Sequence, residues 1–134
     1  MNNRIRITFL ILVLIQGLHS IEEYFGRLWE VFPPARLLCS LVSENPETGF
    51  LIINIVLFLF GLLCWLITVR KNYLFVRGLI WFWIVLETIN GIGHPVWALY
   101  KRAYVPGLAT ALILLMLALY LAKLLRPDSV INKL

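Results

Sequence analysis

The feature that most constrains the fold is an apolar run from about residue 50 to 69 that contains no charged side chain. At about 1.5 Å per residue, a helix of this length reaches about 30 Å, the thickness of the hydrocarbon core of a bilayer. The run therefore predicts a membrane-spanning helix. The chain has 134 residues, of which 61% are hydrophobic and 14% charged, and a soluble domain of this size could not bury so much apolar surface.

Three further apolar runs accompany the first. We therefore predict an all-α single domain, an integral membrane bundle of four transmembrane helices over about residues 6–29, 50–69, 74–97 and 104–125. The pair Pro33-Pro34 is expected to end the first span, and residues 35–43 predict a short interfacial helix. Residues 44–49 predict a polar loop, and Pro95 is expected to kink or end the third span.

Basic residues set the predicted orientation. The net charge of +5 would suggest a nucleic-acid partner in a polar chain, but these basic residues cluster at the ends of apolar runs, so topology explains them better. The side that holds both termini carries Arg4, Arg6, Arg70, Lys71, Arg77, Lys123, Arg126 and Lys133, against Arg27, Arg36, Lys101 and Arg102 opposite. The excess predicts a multi-pass protein of the cell membrane with both termini in the cytoplasm.

Three ionisable residues interrupt the first span. His19, Glu22 and Glu23 lie within five positions, and a charged side chain at a bilayer centre costs at least about 2.5–3.5 kcal/mol. Offsets of three and four return to the same face of a helix, so the three side chains share one sector with Gln16 beside them. The simpler alternative is that the helix ends here and the carboxylates reach water.

The third span carries a matching set. Glu87, Asn90 and His94 have the spacing of one helix face. The rise per residue places this set about 20–30 Å along its span and the first set about 20–26 Å along its own. Both spans run in the same direction, so we expect one shared site in the outer half of the membrane, with Tyr104 entering from that side.

These residues form three motifs that resemble a known family. His19-x-x-Glu22-Glu23, Asn90-x-x-x-His94 and Tyr104-x-Pro106-Gly107 together resemble the HXXEE-motif family of small integral membrane proteins of uncharacterised function. The resemblance spans residues 19–107 and implies an enzyme, but it implies no substrate.

Three functional hypotheses follow. The first is a divalent metal site, of zinc, iron or manganese, with ligands drawn from His19, Glu22, Glu23, Glu87 and His94 and with Asn90 orienting a ligand or binding substrate. The second is metal-free acid/base chemistry on a lipid, by an isomerase or hydrolase in which a buried carboxylate works with a histidine. The third is a proton or cation transporter, which would need homo-oligomers. Candidate catalytic residues are Glu22, Glu23, Glu87, Asn90 and Tyr104, and membrane lipids are the expected partners.

Structural roles compete with these hypotheses for several residues. Asn54 and Asn90 are each expected to make a helix–helix hydrogen bond, and Gly91 and Gly93 to permit close helix packing. Tyr104 fits an aromatic belt at the membrane interface, where it would anchor the start of the fourth helix. For the ionisable cluster as a whole we favour function, because ionisable groups inside a membrane are functional by default.

Overall fold

The computed structural model describes residues 2–70 and 73–126. Lys71 and Lys133, which contribute to the predicted orientation, lie outside these residues. The described part of the chain contains only helices and loops, in the order α1 (Asn3–Phe25), α2 (Leu28–Val31), α3 (Pro33–Val42), α4 (Pro46–Arg70), α5 (Tyr73–Lys101) and α6 (Leu108–Leu124). The all-helical prediction is confirmed.

The first helix is shorter than predicted. Helix α1 ends at Phe25 rather than near residue 29, and Arg27 has a left-handed φ of 52°. A Cβ atom added to Gly26 would lie 2.4 Å from Pro106, so the turn after α1 depends on a residue without a side chain. The proline pair then forms the first turn of α3, where proline is favoured because its missing N–H would have no partner.

Helix α5 continues through Pro95 to Lys101, although the sequence led us to expect a kink or an end near this proline. A proline inside a helix removes the hydrogen bond to the carbonyl four residues earlier, here that of Gly91. The helix continues because α5 packs along α6, which contributes more to its stability than one backbone hydrogen bond.

Helices α1, α4, α5 and α6 pack as a bundle in which α1 contacts both α4 and α6, and α5 lies against α6. Two apolar clusters occupy its ends. The larger, centred on Phe9 and Trp83, fills the part of the bundle near the start of α1 and the end of α6. The smaller, around Trp29 and Phe50, lies beneath α2 and α3 at the other end. The buried polar side chains described below lie between these clusters.

The outer surface of the bundle indicates a membrane protein. Helices α1, α4 and α5 are long and apolar enough to cross a bilayer. Large apolar side chains point outward along them, such as Ile55, Leu59 and Leu63 on α4, and so extended an apolar exterior suits lipid rather than water. Helix α6 is apolar but only 17 residues long, so four membrane crossings remain a prediction.

Candidate functional site

Three buried side chains from two helices converge at the centre of the site. Oε1 of Glu23 lies 3.1 Å from Nε2 of His19, one helical turn earlier on α1, and 3.1 Å from Nε2 of His94 on α5. His19 is 0% exposed, and Glu23 and His94 are each 7% exposed. The two imidazole rings meet edge to face with their centroids 4.8 Å apart. The predicted proximity of the polar residues on the first and third spans is confirmed.

This cluster of His19, Glu23 and His94, called the His-Glu-His cluster below, has the dimensions of a metal site. One ligand atom from each residue lies within 4.8 Å of the other two. Ligands of a tetrahedral zinc ion lie about 3.3–3.5 Å apart, because each metal–ligand distance is about 2.0–2.2 Å. The two 3.1 Å separations are close to this value, so the cluster can hold a metal ion.

Hydrogen bonding determines which nitrogen of His19 carries a proton. The hydroxyl oxygen of Thr110 lies 2.5 Å from Oε2 of Glu22 and 2.8 Å from Nδ1 of His19. A carboxylate only accepts hydrogen bonds, so the single hydroxyl proton goes to Glu22, and the Nδ1–H of His19 donates to the hydroxyl oxygen. In the neutral imidazole the lone pair is then on Nε2 and faces the carboxylate of Glu23. Two acceptors 3.1 Å apart repel unless a metal ion or an additional proton lies between them.

Glu22, the other carboxylate of the motif, has quite different surroundings. It accepts hydrogen bonds from the backbone N–H groups of Ala109 and Thr110, at 3.3 and 3.0 Å, and from the hydroxyl groups of Thr110 and Tyr104. These backbone groups are the free donors at the start of α6, where the helix dipole also favours a negative charge. Glu22 therefore fixes α6 to α1 and, through Thr110, orients His19.

The loop that precedes α6 fits the HXXEE segment residue by residue. The hydroxyl of Tyr104 donates to Glu22, and Pro106 packs on Gly26. Gly107 has a φ of +89°, and a Cβ atom there would lie 2.8 Å from Cε1 of both His19 and His94. The backbone of Gly107 thus covers the His-Glu-His cluster. Burial and the bond to Glu22 raise the pKa of Tyr104 to about 12.

Glu87 is one of the buried polar side chains between the two apolar clusters, called the polar layer below, but it lies outside the His-Glu-His cluster. It is 0% exposed, and its carboxyl oxygens lie 3.0 Å from the amide nitrogen of Gln16 when that amide is oriented to donate. Asn90 donates a second hydrogen bond to it at 3.3 Å. The expected helix–helix bond of Asn90 is therefore a bond within α5. The helix–helix bond predicted for Asn54 is confirmed, because Ser20 donates to Asn54 at 2.7 Å.

Two cavities lie near the polar layer. A groove of about 650 Å³ runs between α1 and α4, and its lining is mostly apolar but includes Ser20 and Asn54. A smaller cavity of about 110 Å³ is lined by His94 and Asn90 together with Gly93, Trp97 and other apolar residues. Only the smaller of these two has a residue of the His-Glu-His cluster in its wall.

Comparison with known families agrees with this geometry. Residues 10–121, most of the chain, match the family described as "Protein of unknown function with HXXEE motif". The chain belongs to the HXXEE family. No curated protein and no solved structure was found to match it. Within the HXXEE motif, His19 and Glu23 join the cluster and Glu22 anchors α6, so the two glutamates of the motif have separate positions.

Sequence reasoning missed Thr110, which connects Glu22 to His19. A threonine in the first turn of an apolar helix has many ordinary explanations, so its type and position carried no signal. It also missed the close approach of Gly107 to both histidines. The Tyr-x-Pro-Gly motif marked that loop, but only the folded chain shows which side chains lie beneath it.

Proposed function

We propose that this HXXEE protein is a metal-dependent integral membrane enzyme in which His19, Glu23 and His94 bind one divalent ion. The observation that carries the proposal is the pair of contacts made by His19, from Nδ1 to Thr110 and from Nε2 to Glu23. Because the Nδ1–H of His19 donates to the hydroxyl oxygen of Thr110, the Nε2 lone pair of the neutral imidazole faces the carboxylate of Glu23. A divalent cation between them would turn this repulsion into coordination. Three protein ligands would leave a coordination position for water or substrate.

The donor set favours certain metals and certain chemistry. Two imidazole nitrogens and a carboxylate oxygen suit zinc, iron or manganese better than copper(I), which prefers sulfur. A bound ion of this kind would activate water or polarise a substrate oxygen. The apolar bundle around the cluster supports a lipidic or small apolar substrate that reaches the site from the bilayer.

We assign the remaining candidate residues supporting roles in this chemistry. Glu87, buried in the same layer and held by two amides, is suited to transferring a proton to or from a substrate. Asn90, beside Glu87 and in the wall of the small cavity, is suited to orienting the substrate. Glu22 and Tyr104 hold α6 and the imidazole of His19 in position.

Metal analysis of the protein, purified in detergent without chelators or a polyhistidine tag, tests the proposal. We expect one zinc, iron or manganese per chain, and loss of that metal in both His19→Ala and His94→Ala. Arg36→Ala, a change on the exposed surface of α3, is the control and should keep the metal. Absence of stoichiometric metal after loading with each of the three ions would overturn the proposal.

A second candidate, metal-free acid/base catalysis on a lipid, rests on Glu87 because this carboxyl group is completely buried. Its two partners, Gln16 and Asn90, are neutral amides. If the protein binds no metal but loses lipid turnover on Glu87→Gln, this second function is favoured. If Glu87→Gln instead abolishes ion flux into liposomes, transport by an oligomer replaces both enzymatic functions.

We propose the membrane arrangement predicted from the sequence: four crossings of the cell membrane, with both termini in the cytoplasm. The length of α6, 17 residues, corresponds to about 26 Å and approaches the hydrocarbon thickness of about 30 Å. Single cysteines tested with a membrane-impermeant thiol reagent check this topology. A cysteine at Asn2 should react only after the membrane is opened, and one at Glu44 should react in intact cells.

A further inference from the structure

A small cavity borders the His-Glu-His cluster at His94. Its volume is about 110 Å³, and its wall contains His94, Asn90 and the aromatic rings of Phe32 and Trp97. About four water molecules would fill this volume at about 30 Å³ each. Most of its wall is apolar, and His94 and Asn90 are the polar members, so the cavity is suited to a slim, uncharged group that offers a polar atom.

Gly93 forms the outer edge of this cavity. We expected Gly93, like Gly91, to permit close helix packing, and the structure separates the two. A Cβ atom at Gly91 would lie 2.5 Å from Leu115, whereas a Cβ atom at Gly93 would meet no atom within 4 Å. Gly93 is exposed on the outer face of α5, and Ile89, one turn earlier, is also exposed and lines the cavity. The cavity is therefore open toward the bilayer at Gly93.

We propose that one end of a lipidic substrate enters the cavity from the bilayer through an opening beside Gly93, called the doorway below. Because Gly93 has no side chain, the doorway is wide enough for an unbranched end of the substrate. The inference rests on the proposed metal site and names its substrate class: a lipidic molecule whose unbranched, uncharged polar end reaches the ion. The remaining chain stays outside in the bilayer, because 110 Å³ cannot hold a whole lipid. A charged end is disfavoured, since its desolvation in an apolar cavity is costly.

The larger groove between α1 and α4 is a poorer route to the site. Its volume of about 650 Å³ is sufficient for an acyl chain, but neither His19, Glu23 nor His94 lines it. Its polar lining includes Ser20 and Asn54, which hydrogen-bond to each other. The groove therefore offers a lipid contact on the face of α1 that lies away from the cluster.

The test compares two glycines of α5. Gly93→Leu would fill the doorway without a clash, and Gly78→Leu is the matched control, because a Cβ atom at Gly78 also meets no atom within 4 Å. Each protein is loaded with cobalt(II) and titrated anaerobically with 1-butanethiol and with tert-butanethiol. The thiol enters uncharged, releases its proton to the buffer and would bind the ion as thiolate, and the sulfur-to-cobalt charge-transfer band reports this binding.

We expect the unaltered protein and Gly78→Leu to bind 1-butanethiol with equal affinity and at least tenfold more tightly than tert-butanethiol. Gly93→Leu should weaken 1-butanethiol binding at least tenfold while its cobalt content is unchanged. Equal thiol affinity in all three proteins would overturn the doorway and leave the metal site intact. Failure of the unaltered protein to bind any metal would instead overturn the proposed function, and with it this inference.

Discussion

Glu22 and Glu23 are neighbours in the chain, yet they lie in opposite chemical surroundings. Glu22 faces the start of α6 and accepts four hydrogen bonds, two from backbone N–H groups and two from hydroxyl groups. Glu23 faces two imidazole nitrogens, at least one of which presents a lone pair when neutral. Protein groups alone complete the hydrogen bonding of Glu22, whereas the carboxylate of Glu23 and a neutral His19 repel unless a metal ion or an additional proton lies between them. Glu22 therefore joins α1 to α6, while Glu23 is the carboxylate that is placed for the proposed metal site.

Replacing Glu23 should have the largest effect on metal binding and so distinguish its surroundings most clearly from those of Glu22. Glu23→Gln keeps the shape of the side chain but removes the negative charge between the two histidines. We expect metal affinity to fall more than about 100-fold, because loss of an outer hydrogen-bonding partner alone costs about 10–100-fold. Isothermal titration with zinc measures the effect. Glu44→Gln, at an exposed glutamate in the loop before α4, is the control, and an equal loss there would show that general charge causes it.

Removing the hydroxyl of Thr110 should break the hydrogen-bonded connection between Glu22 and His19. Thr110→Val preserves the volume of the side chain but leaves Nδ1 of His19 without its acceptor, so the imidazole loses its fixed orientation. We expect metal affinity to fall about 10–100-fold, and Thr110→Ser, which retains a hydroxyl, to restore most of it. A purely structural role predicts instead that the loss of affinity follows the loss of thermal stability in both variants.

Altering Glu22 should weaken the fold more than the metal stoichiometry. Glu22→Gln places amide hydrogens against donors at the start of α6, so at least one of these donors, which are half-buried or exposed, loses its acceptor. We expect the free energy of unfolding to fall by about 1–2 kcal/mol, measured by denaturant titration in detergent, while one metal still binds per chain. Complete loss of metal with an unchanged stability would assign Glu22 to the cluster and erase the distinction between the two carboxylates.

The smallest effect is expected at Tyr104, the outermost donor to Glu22. Tyr104→Phe should cost about 1 kcal/mol of stability and remove the tyrosine whose pKa is about 12. Between the unfolded pKa of about 10 and this value, the folded protein binds more protons than the unfolded chain. The contribution of Tyr104 is therefore complete below pH 10 and is lost as the pH rises through about 12.

Ultraviolet absorbance of tyrosinate against pH measures this titration. The unaltered protein should show a titration step near pH 12 that is absent from Tyr104→Phe. Loss of a step near pH 10 instead of near pH 12 would show that the hydroxyl does not bond to Glu22. Tyr100→Phe is a suitable control, because Tyr100 lies on the exposed face of α5 at the same end of the bundle.

Much of this arrangement follows from the sequence, and the reasons are local. Apolar runs and helix periodicity predicted the four long helices and the proximity of Glu23 and His94. They did not predict α2, and the predicted loop over residues 44–49 was wrong in part, because α4 begins at Pro46. The end of α1 at Phe25 was not predictable, because it depends on the contact of Gly26 with Pro106, about 80 positions later. The passage of α5 through Pro95 was missed for a similar reason, since packing against α6 outweighs the local preference.

The separate positions of the two motif carboxylates also lay beyond the sequence. Residues 22 and 23 differ by 100° around the helix axis, so a single helix face could include both within its sector. Only the position of α6 decides that Glu22 meets backbone N–H groups while Glu23 meets imidazoles. Thr110 is the residue that distinguishes them, and a lone threonine in an apolar run predicts nothing of the kind.

The backbone of Gly107 above the histidines has a consequence for anyone who wishes to redesign this protein. The ceiling of the cluster is made of main chain, and any side chain there would collide with both imidazoles. Substitution of Gly107 therefore cannot enlarge or reshape the space around the His-Glu-His cluster. New specificity has to come from its walls on α5 or from a longer loop between α5 and α6.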